Sequence, residues 1–198
     1  MRKVWWIICA SLLLTACGGG TGNDAGGKGA AAGPQLELKV DGKDSVLPLK
    51  SGVMQAFQQD SSDPKWKAAT YGFTLANYEL ATGGDLAKTL TKPEETRVFF
   101  KLYGEPGTDK TAPIKPGVYK ADAKEFPSYD ATSLAIITFA DGKQKVVMSQ
   151  DSPAIDTKGE VKITSVEGDT VKGEINIATA NKLGAKGTFT AKIKPIGF

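Results

Sequence analysis

The chain of 198 residues contains no histidine and only two cysteines, Cys9 and Cys17. Ser-His-Asp and Cys-His catalysis are thereby excluded, and so is any zinc site that needs a His ligand. Carboxylates, amines, hydroxyls and aromatic rings are left to do chemistry. Asp60 with Asp63, Glu94 with Glu95, and Asp151 with Asp156 form close acidic pairs in expected loops. Paired acids can hydrolyse glycosidic bonds, and oxygen-rich loops can hold calcium. None of the three follows the alternating Asp-x-Asp-x-Asp-Gly spacing of a calcium loop, and sequence neighbours are seldom a catalytic pair. Solvated loop acids are the plainer reading, so neither a metal nor a cofactor is expected. No glycine-rich loop opens a helix to cradle phosphate, and no nucleophile elbow is present. A non-enzymatic protein is therefore expected, with a carboxylate-based hydrolase as the remote alternative.

Aromatic and basic residues offer binding rather than reaction. Phe126 and Tyr129 lie beside Pro127 and Asp130 between two expected strands, and Trp66 sits in the polar stretch from Asp60 to Lys67. Exposed rings beside polar groups suit stacking on a sugar or anchoring a protein partner. The competing reading is that they fold down and close one end of the domain. Lys182, Lys186, Lys192 and Lys194 lie in a C-terminal stretch with no acid after Glu174. They could form a basic face for lipid headgroups or a polyanion, although lysines on an edge strand more often block sheet-to-sheet aggregation. Nucleic acid is not an expected partner, because the net charge is too small to neutralise many phosphates.

The amino terminus carries the clearest signal. Arg2 and Lys3 precede an apolar run from Val4 that extends to Ala16, 13 residues long. As a helix it spans about 20 Å, short of a bilayer core. It ends in Leu14-Thr15-Ala16-Cys17, followed by Gly18-Gly19-Gly20. This arrangement resembles the lipobox of bacterial lipoproteins. The resemblance implies cleavage before Cys17, a diacylglycerol thioether on its sulfur, and an acyl chain such as palmitate on the new amino terminus. It also implies an extracytoplasmic, membrane-anchored protein. Gly18 in place of Asp implies the outer membrane where the cell has one. An ordinary signal peptide cut after Ala16 and an uncleaved anchor are the alternatives. Cleavage discards Arg2, Lys3 and Cys9, leaving 23 basic against 22 acidic residues and Cys17 as the sole thiol. No disulfide can then form, so the domain must hold together by its core.

The elements that must position any site follow the signal. Residues 1–16 read as the cleaved signal peptide and 17–34 as the lipidated cysteine with a tether. Eight Gly and four Ala among the 17 residues from Gly18 to Pro34 cannot bury enough surface to order themselves. Residues 35–198 read as one β domain. Leu36, Leu38 and Val40 alternate with polar residues before an Asp41-Gly42 turn, and Pro48 marks an edge strand. Gly52 to Gln58 fits helix or strand. Tyr71, Phe73 and Leu75 alternate, then Tyr78 and Leu80 continue on a shifted phase, which reads as a bulge between Leu75 and Ala76. Asp85 to Lys92 is expected to form at most one short helix, stopped by Pro93.

Further on, Ser133 to Phe139 and Lys145 to Ser149 flank Asp141-Gly142 as a hairpin. A second hairpin spans Val161 to Ile177, and Phe189, Ala191 and Ile193 close the domain. The expected fold is all-β, an antiparallel sandwich or small barrel of about eight to ten short strands. Gly159-Glu-Val-Lys-Ile-Thr, Val171-Lys-Gly-Glu-Ile-Asn-Ile and Gly187-Thr-Phe-Thr-Ala-Lys resemble small β-sandwich lipoproteins of unassigned function, which implies the fold and no activity. A membrane-spanning barrel is not expected. Lys192, Lys194 and Pro195 interrupt the apolar alternation back from Phe198 that a lipid-facing strand requires. Function is expected to be binding of an envelope protein or glycan. The alternative is an accessory role in an envelope assembly.

Overall fold

The computed structural model describes residues 33–58, 67–80, 89–121, 127–131, 133–149, 157–180 and 182–194. Within them the period-two pattern becomes twelve strands and no helix. They are β1 Gln35–Val40, β2 Lys43–Pro48, β3 Ser51–Gln58, β4 Ala68–Ala76, β5 Thr96–Pro106 and β6 Gly117–Lys120. The remainder are β7 Ser128–Tyr129, β8 Ala135–Ala140, β9 Lys143–Met148, β10 Thr157–Glu167, β11 Thr170–Thr179 and β12 Gly184–Ile193. Asp85 to Leu86 and their neighbours to Lys88, where the short helix was expected to begin, lie outside the described residues.

Eight strands close into a barrel in the order β12, β11, β10, β6, β7, β5, β4, β3 and back to β12. Most neighbours are antiparallel; β12 with β3 and β6 with β7 are parallel. Following the register from Leu102 both ways round the ring reaches β12 at positions about ten residues apart, a stagger that tilts the strands by roughly 35–45° in such a closure.

The interior is filled by side chains. Phe73 of β4, Phe100 of β5 and Phe189 of β12 meet at its centre. Phe73 and Phe100 stack at 4.9 Å, and Phe189 stands edge-on to both at 5.4 and 5.6 Å. All three are essentially without solvent contact, as are Leu75, Leu102, Ile163 and Ile175 around them. A barrel packed this way has no room for an internal ligand. The outward positions of β10, β11 and β12 carry Glu160, Lys162, Lys172, Glu174, Lys186 and Lys192, all exposed, where a lipid-facing barrel would carry apolar residues.

Two hairpins are added to the ring by the same device. The edge of β12 that pairs with β3 at Lys192 and Ile193 pairs with β1 at Gly184 to Gly187. The edge of β5 that pairs with β7 at Leu102 and Tyr103 pairs with β8 at Thr96 to Phe99. Each hairpin turns on Asp-Gly, at 41–42 and 141–142, with both residues at positive φ (52° and 78°; 53° and 73°). That mirror-image turn matches strand twist, and Asp and Gly tolerate it best. The hairpins meet where Lys145 Nζ reaches Asp41 Oδ2 at 2.8 Å. Beneath that pair, Leu36, Leu38, Leu47 and Ile136 belong to the core of the barrel, with Val147 packed against it.

The expected bulge between Leu75 and Ala76 does not occur. The β4–β5 register is continuous there and shifts instead between Ala68 and Thr70. Leu75 ends the inward series and Ala76 faces outward. The chain then leaves the strand and folds Tyr78 and Leu80 over Val53 and Ala76 as a small second apolar cluster. Ser51 fastens this segment, donating to the Tyr78 carbonyl at 2.6 Å and accepting the Leu80 N–H at 2.9 Å. The phase shift in the sequence therefore marks a change of layer.

Candidate functional site

Strand β4 is buried on both faces. Its inward residues Tyr71, Phe73 and Leu75 fill the barrel, so something must cover Thr70, Gly72 and Thr74 outside. Two rings do part of this. Phe57 lies opposite Thr70 on β3, and Phe99 lies opposite Thr74 on β5. Both lean diagonally over Gly72, whose missing Cβ would stand 3.1 Å from Phe57 Cε1 and 3.4 Å from Phe99 Cε2. Aromatic rings over a strand glycine replace the packing that the glycine lacks. Lys101 is directly opposite Gly72. Its ammonium lies 5.6 Å from the Phe57 centroid and 6.0 Å from that of Phe99, within cation–π range of both.

This arrangement leaves an open groove of about 390 Å³ on the outer face of β3, β4, β5, β8 and β9, at the small end of the range for ligand sites. Gln55, Arg97, Ile137 and Gln144 continue its wall beyond the rings. Arg97 is 4 % exposed, and its guanidinium bonds the Tyr78 hydroxyl. The Gln144 side-chain oxygen accepts the Leu90 N–H at 3.0 Å, which leaves its amide NH₂ as a donor. Both phenyl rings are partly exposed.

The residues singled out from sequence fall elsewhere. Tyr129 is fully buried on β7 and packs into the core, because its strand position points inward beside Leu102; it is not a surface contact. Its hydroxyl has no hydrogen-bond partner among the described residues, and burial raises its pKa. Phe126, Trp66 and Cys17 lie outside the described residues, as do Asp60, Asp63, Asp151 and Asp156. Glu95 is a local cap, accepting the N–H groups of Thr91 and Lys92 at 3.1 and 3.3 Å. Among the described residues no group of three or more acids and cysteines is arranged to hold a metal ion.

The C-terminal lysines do not make one basic face. Lys182 lies between β11 and β12 at φ 62°. Lys186 is flanked across the sheet by Glu37 and Asn176. Lys192 is paired with Asp169 at 2.8 Å and also bonds Thr170. The Lys194 backbone N–H is tied to the Met54 carbonyl at 2.8 Å. Opposite charges thus stand beside Lys186 and Lys192.

Phe57, Phe99 and Arg97 were missed in the sequence for separate reasons. Phe57 falls in the stretch that fits helix or strand. Val98-Phe99-Phe100 did carry a signal: an unbroken apolar run within an alternating strand implies apolar residues on both faces. Compared with known proteins, the chain matches no protein family, no curated protein and no solved structure.

Proposed function

We propose that this protein is a lipid-anchored binding module of the bacterial cell envelope, held at Cys17 and engaging a glycan or protein through the groove between Phe57 and Phe99. The observation that carries the reading is two partly exposed phenyl rings over Gly72 on an outward sheet face, with polar side chains along the groove. Rings supply apolar contact at little entropic cost, and the polar wall supplies orientation. The lipobox-like Leu14-Thr15-Ala16-Cys17 and the Gly/Ala-rich stretch that follows support an anchor and a tether. Two or more acyl chains, at about 0.8 kcal/mol per buried methylene, make such attachment lasting.

Two experiments test the reading. Cys17→Ser should abolish acyl labelling and release the protein from membranes; unchanged retention overturns the anchor. For the groove, immobilised protein is challenged with a glycan array and with detergent-solubilised envelope. Phe57→Leu with Phe99→Leu should remove at least 90 % of any saturable capture while the far-ultraviolet circular dichroism stays native. Undiminished capture by that variant refutes the groove.

An accessory role in an envelope assembly draws on a different feature. Among the described residues β2 ends the strand order with an unpaired edge, and Val46 there is 61 % exposed. Free edges invite strand addition from a partner. Co-purification with a large envelope complex, lost in Val46→Lys, would favour this reading.

A further inference from the structure

The two appended hairpins are built alike but present opposite outer sides. In β1–β2 the core side carries Leu36, Leu38 and Leu47, and the outer side sets Glu37, Lys39 and Asp44 around Val46. That outer side is an ordinary solvated surface. In β8–β9, Ile136 and Val147 turn to the core, so Ile137, Phe139, Val146 and Met148 turn outward. Val146 is 44 % exposed, and Ile137 and Phe139 are partly exposed. Neither strand puts a charged residue on this side. Its polar residue is Gln144, whose side-chain oxygen holds the Leu90 N–H. Lys143 and Lys145 alternate onto the other side, where Lys145 pairs with Asp41. A hairpin that turns its lysines in and its apolar side chains out is made to meet something other than water.

We propose that the outer side of β8–β9 rests on the lipid surface of the membrane that carries the anchor. The proposal rests on the anchored reading of Cys17 and goes beyond it in naming the face that meets lipid. What points to lipid is the place where the tether ends. The Pro34 carbonyl accepts the Leu49 N–H at 2.9 Å, and the next N–H, of Lys50, reaches the Ala76 carbonyl at 2.9 Å. From Ser51 a single row of cross-strand partners runs through Ala76 and Arg97 to Ile137 and Val146. Arg97, midway along it, is buried with its guanidinium on the Tyr78 hydroxyl, so the row offers lipid no exposed charge. Four strand spacings, about 19 Å in all, lie between Ser51 and Val146. The 17 residues from Gly18 to Pro34 reach about 20–25 Å as a flexible chain. The hairpin therefore meets the bilayer with the tether relaxed. Such a tether holds it there at an effective concentration on the order of millimolar, so contacts too weak for an untethered protein suffice.

The test uses the full-length lipidated protein in phosphatidylcholine vesicles. With Cys17 acylated and Cys9 cleaved off, Val146→Cys supplies a single thiol for an environment-sensitive dye. Lys172→Cys, on the far side of the barrel, carries the same dye as control. When the vesicles contain a doxyl-labelled lipid, the dye at 146 should emit further to the blue and be quenched about twofold or more over the dye at 172. Adding Ile137→Ser and Phe139→Ser to the labelled Val146→Cys protein should erase that difference while the far-ultraviolet circular dichroism stays native. Equal quenching at 146 and 172, with the protein acylated and retained on the vesicles, overturns the docking and leaves the anchor standing. An unmodified Cys17 in the mass spectrum overturns the anchor and the docking with it. A blue shift at 146 that needs no vesicles and grows with protein concentration overturns lipid in favour of a second copy. One that appears only with added envelope protein overturns it in favour of a protein partner.

Discussion

Replacing Gly52 by alanine tests the barrel at its narrowest join. β12 and β3 are paired only at Lys192 with Val53 and at Ile193 with Met54, and the Lys194 N–H reaches the Met54 carbonyl just beyond. Gly52 stands immediately before this seam. A Cβ there would overlap the Thr190 carbonyl oxygen and come within 2.9 Å of Leu75 Cδ2 and 3.2 Å of Ala191 Cα. Two of those three atoms are backbone and cannot rotate aside, so β3 must move off β12. Overpacking of this kind costs about 1–3 kcal/mol. Each seam hydrogen bond lost adds about 0.5–1.5 kcal/mol. Together they predict a loss of roughly 2–5 kcal/mol, and a melting temperature lower by roughly 4–20 °C for a domain of this size. Urea denaturation followed by far-ultraviolet circular dichroism measures it. Gly33→Ala, where a Cβ would meet nothing within 4 Å, is the control and should stay within about 0.5 kcal/mol of the native protein. A Gly52→Ala variant as stable as that control would refute the tight β3–β12 closure.

Other consequences follow from the core and from its charges. Phe189→Ala empties the place where Phe73 and Phe100 converge and should cost about 3–5 kcal/mol in the same denaturation assay; a loss below about 1 kcal/mol would mean that the three rings do not share one packed centre. All five tyrosines are held above their ordinary pKa of 10, chiefly by burial, with Tyr71 and Tyr119 pushed up to about 12. Raised values stabilise the fold below pH 10 and lose that contribution as pH climbs through them. Phenolate absorbance should therefore rise together with loss of the β-sheet signal, and a tyrosine ionising near pH 10 in an intact fold would contradict it. Asp41 has the opposite sign, because its hydrogen bond and charge contact with Lys145 hold its carboxyl below the usual range. Asp41→Asn should cost a little stability at neutral pH, less in high salt, and nothing once the pH falls below the native carboxyl's own titration. A difference that persists in acid would place the effect in the turn rather than in the ion pair.

The strands were legible wherever one face meets the core and the other meets water. β11 and β12 alternate throughout, and β10 alternates up to Ile163, where its register with β11 shifts before Ser165. Val161 and Ile163 face in while Glu160 and Lys162 face out, and the Asp-Gly turns set the register of two hairpins through positive φ alone. Reading failed where a strand is covered on both sides. β4 carries Thr70, Gly72 and Thr74 on a buried outer face, so small polar residues that look solvated are enclosed. β3 is too evenly apolar at Val53, Met54 and Phe57 for either period to win. Barrel closure was equally hidden, since it rests on a parallel contact of two residues between segments far apart in the chain. Tyr129 misled because a loop-like setting of Pro127 and Asp130 surrounds a two-residue strand, which turns the ring into the core.

The place of the groove follows from the way the barrel is filled. Eight strands with this stagger enclose a space that either side chains or one small ligand can occupy. Phe73, Phe100 and Phe189 occupy it here, so the proposed binding site is on an outer face. The two outer faces are not equivalent. Across β10, β11 and β12, Glu160 and Lys162, then Glu174, Lys186 and Glu37, set opposite charges side by side, and such a surface satisfies itself. Across β3, β4 and β5 the outward positions run instead through Phe57, Gly72, Lys101 and Phe99 to Arg97. Glycine at the centre is what lets both rings lie low enough to share one cation. A larger residue at 72 would push the rings apart and separate the apolar floor from the charge above it, so Gly72, which itself lines the groove, fixes its shape.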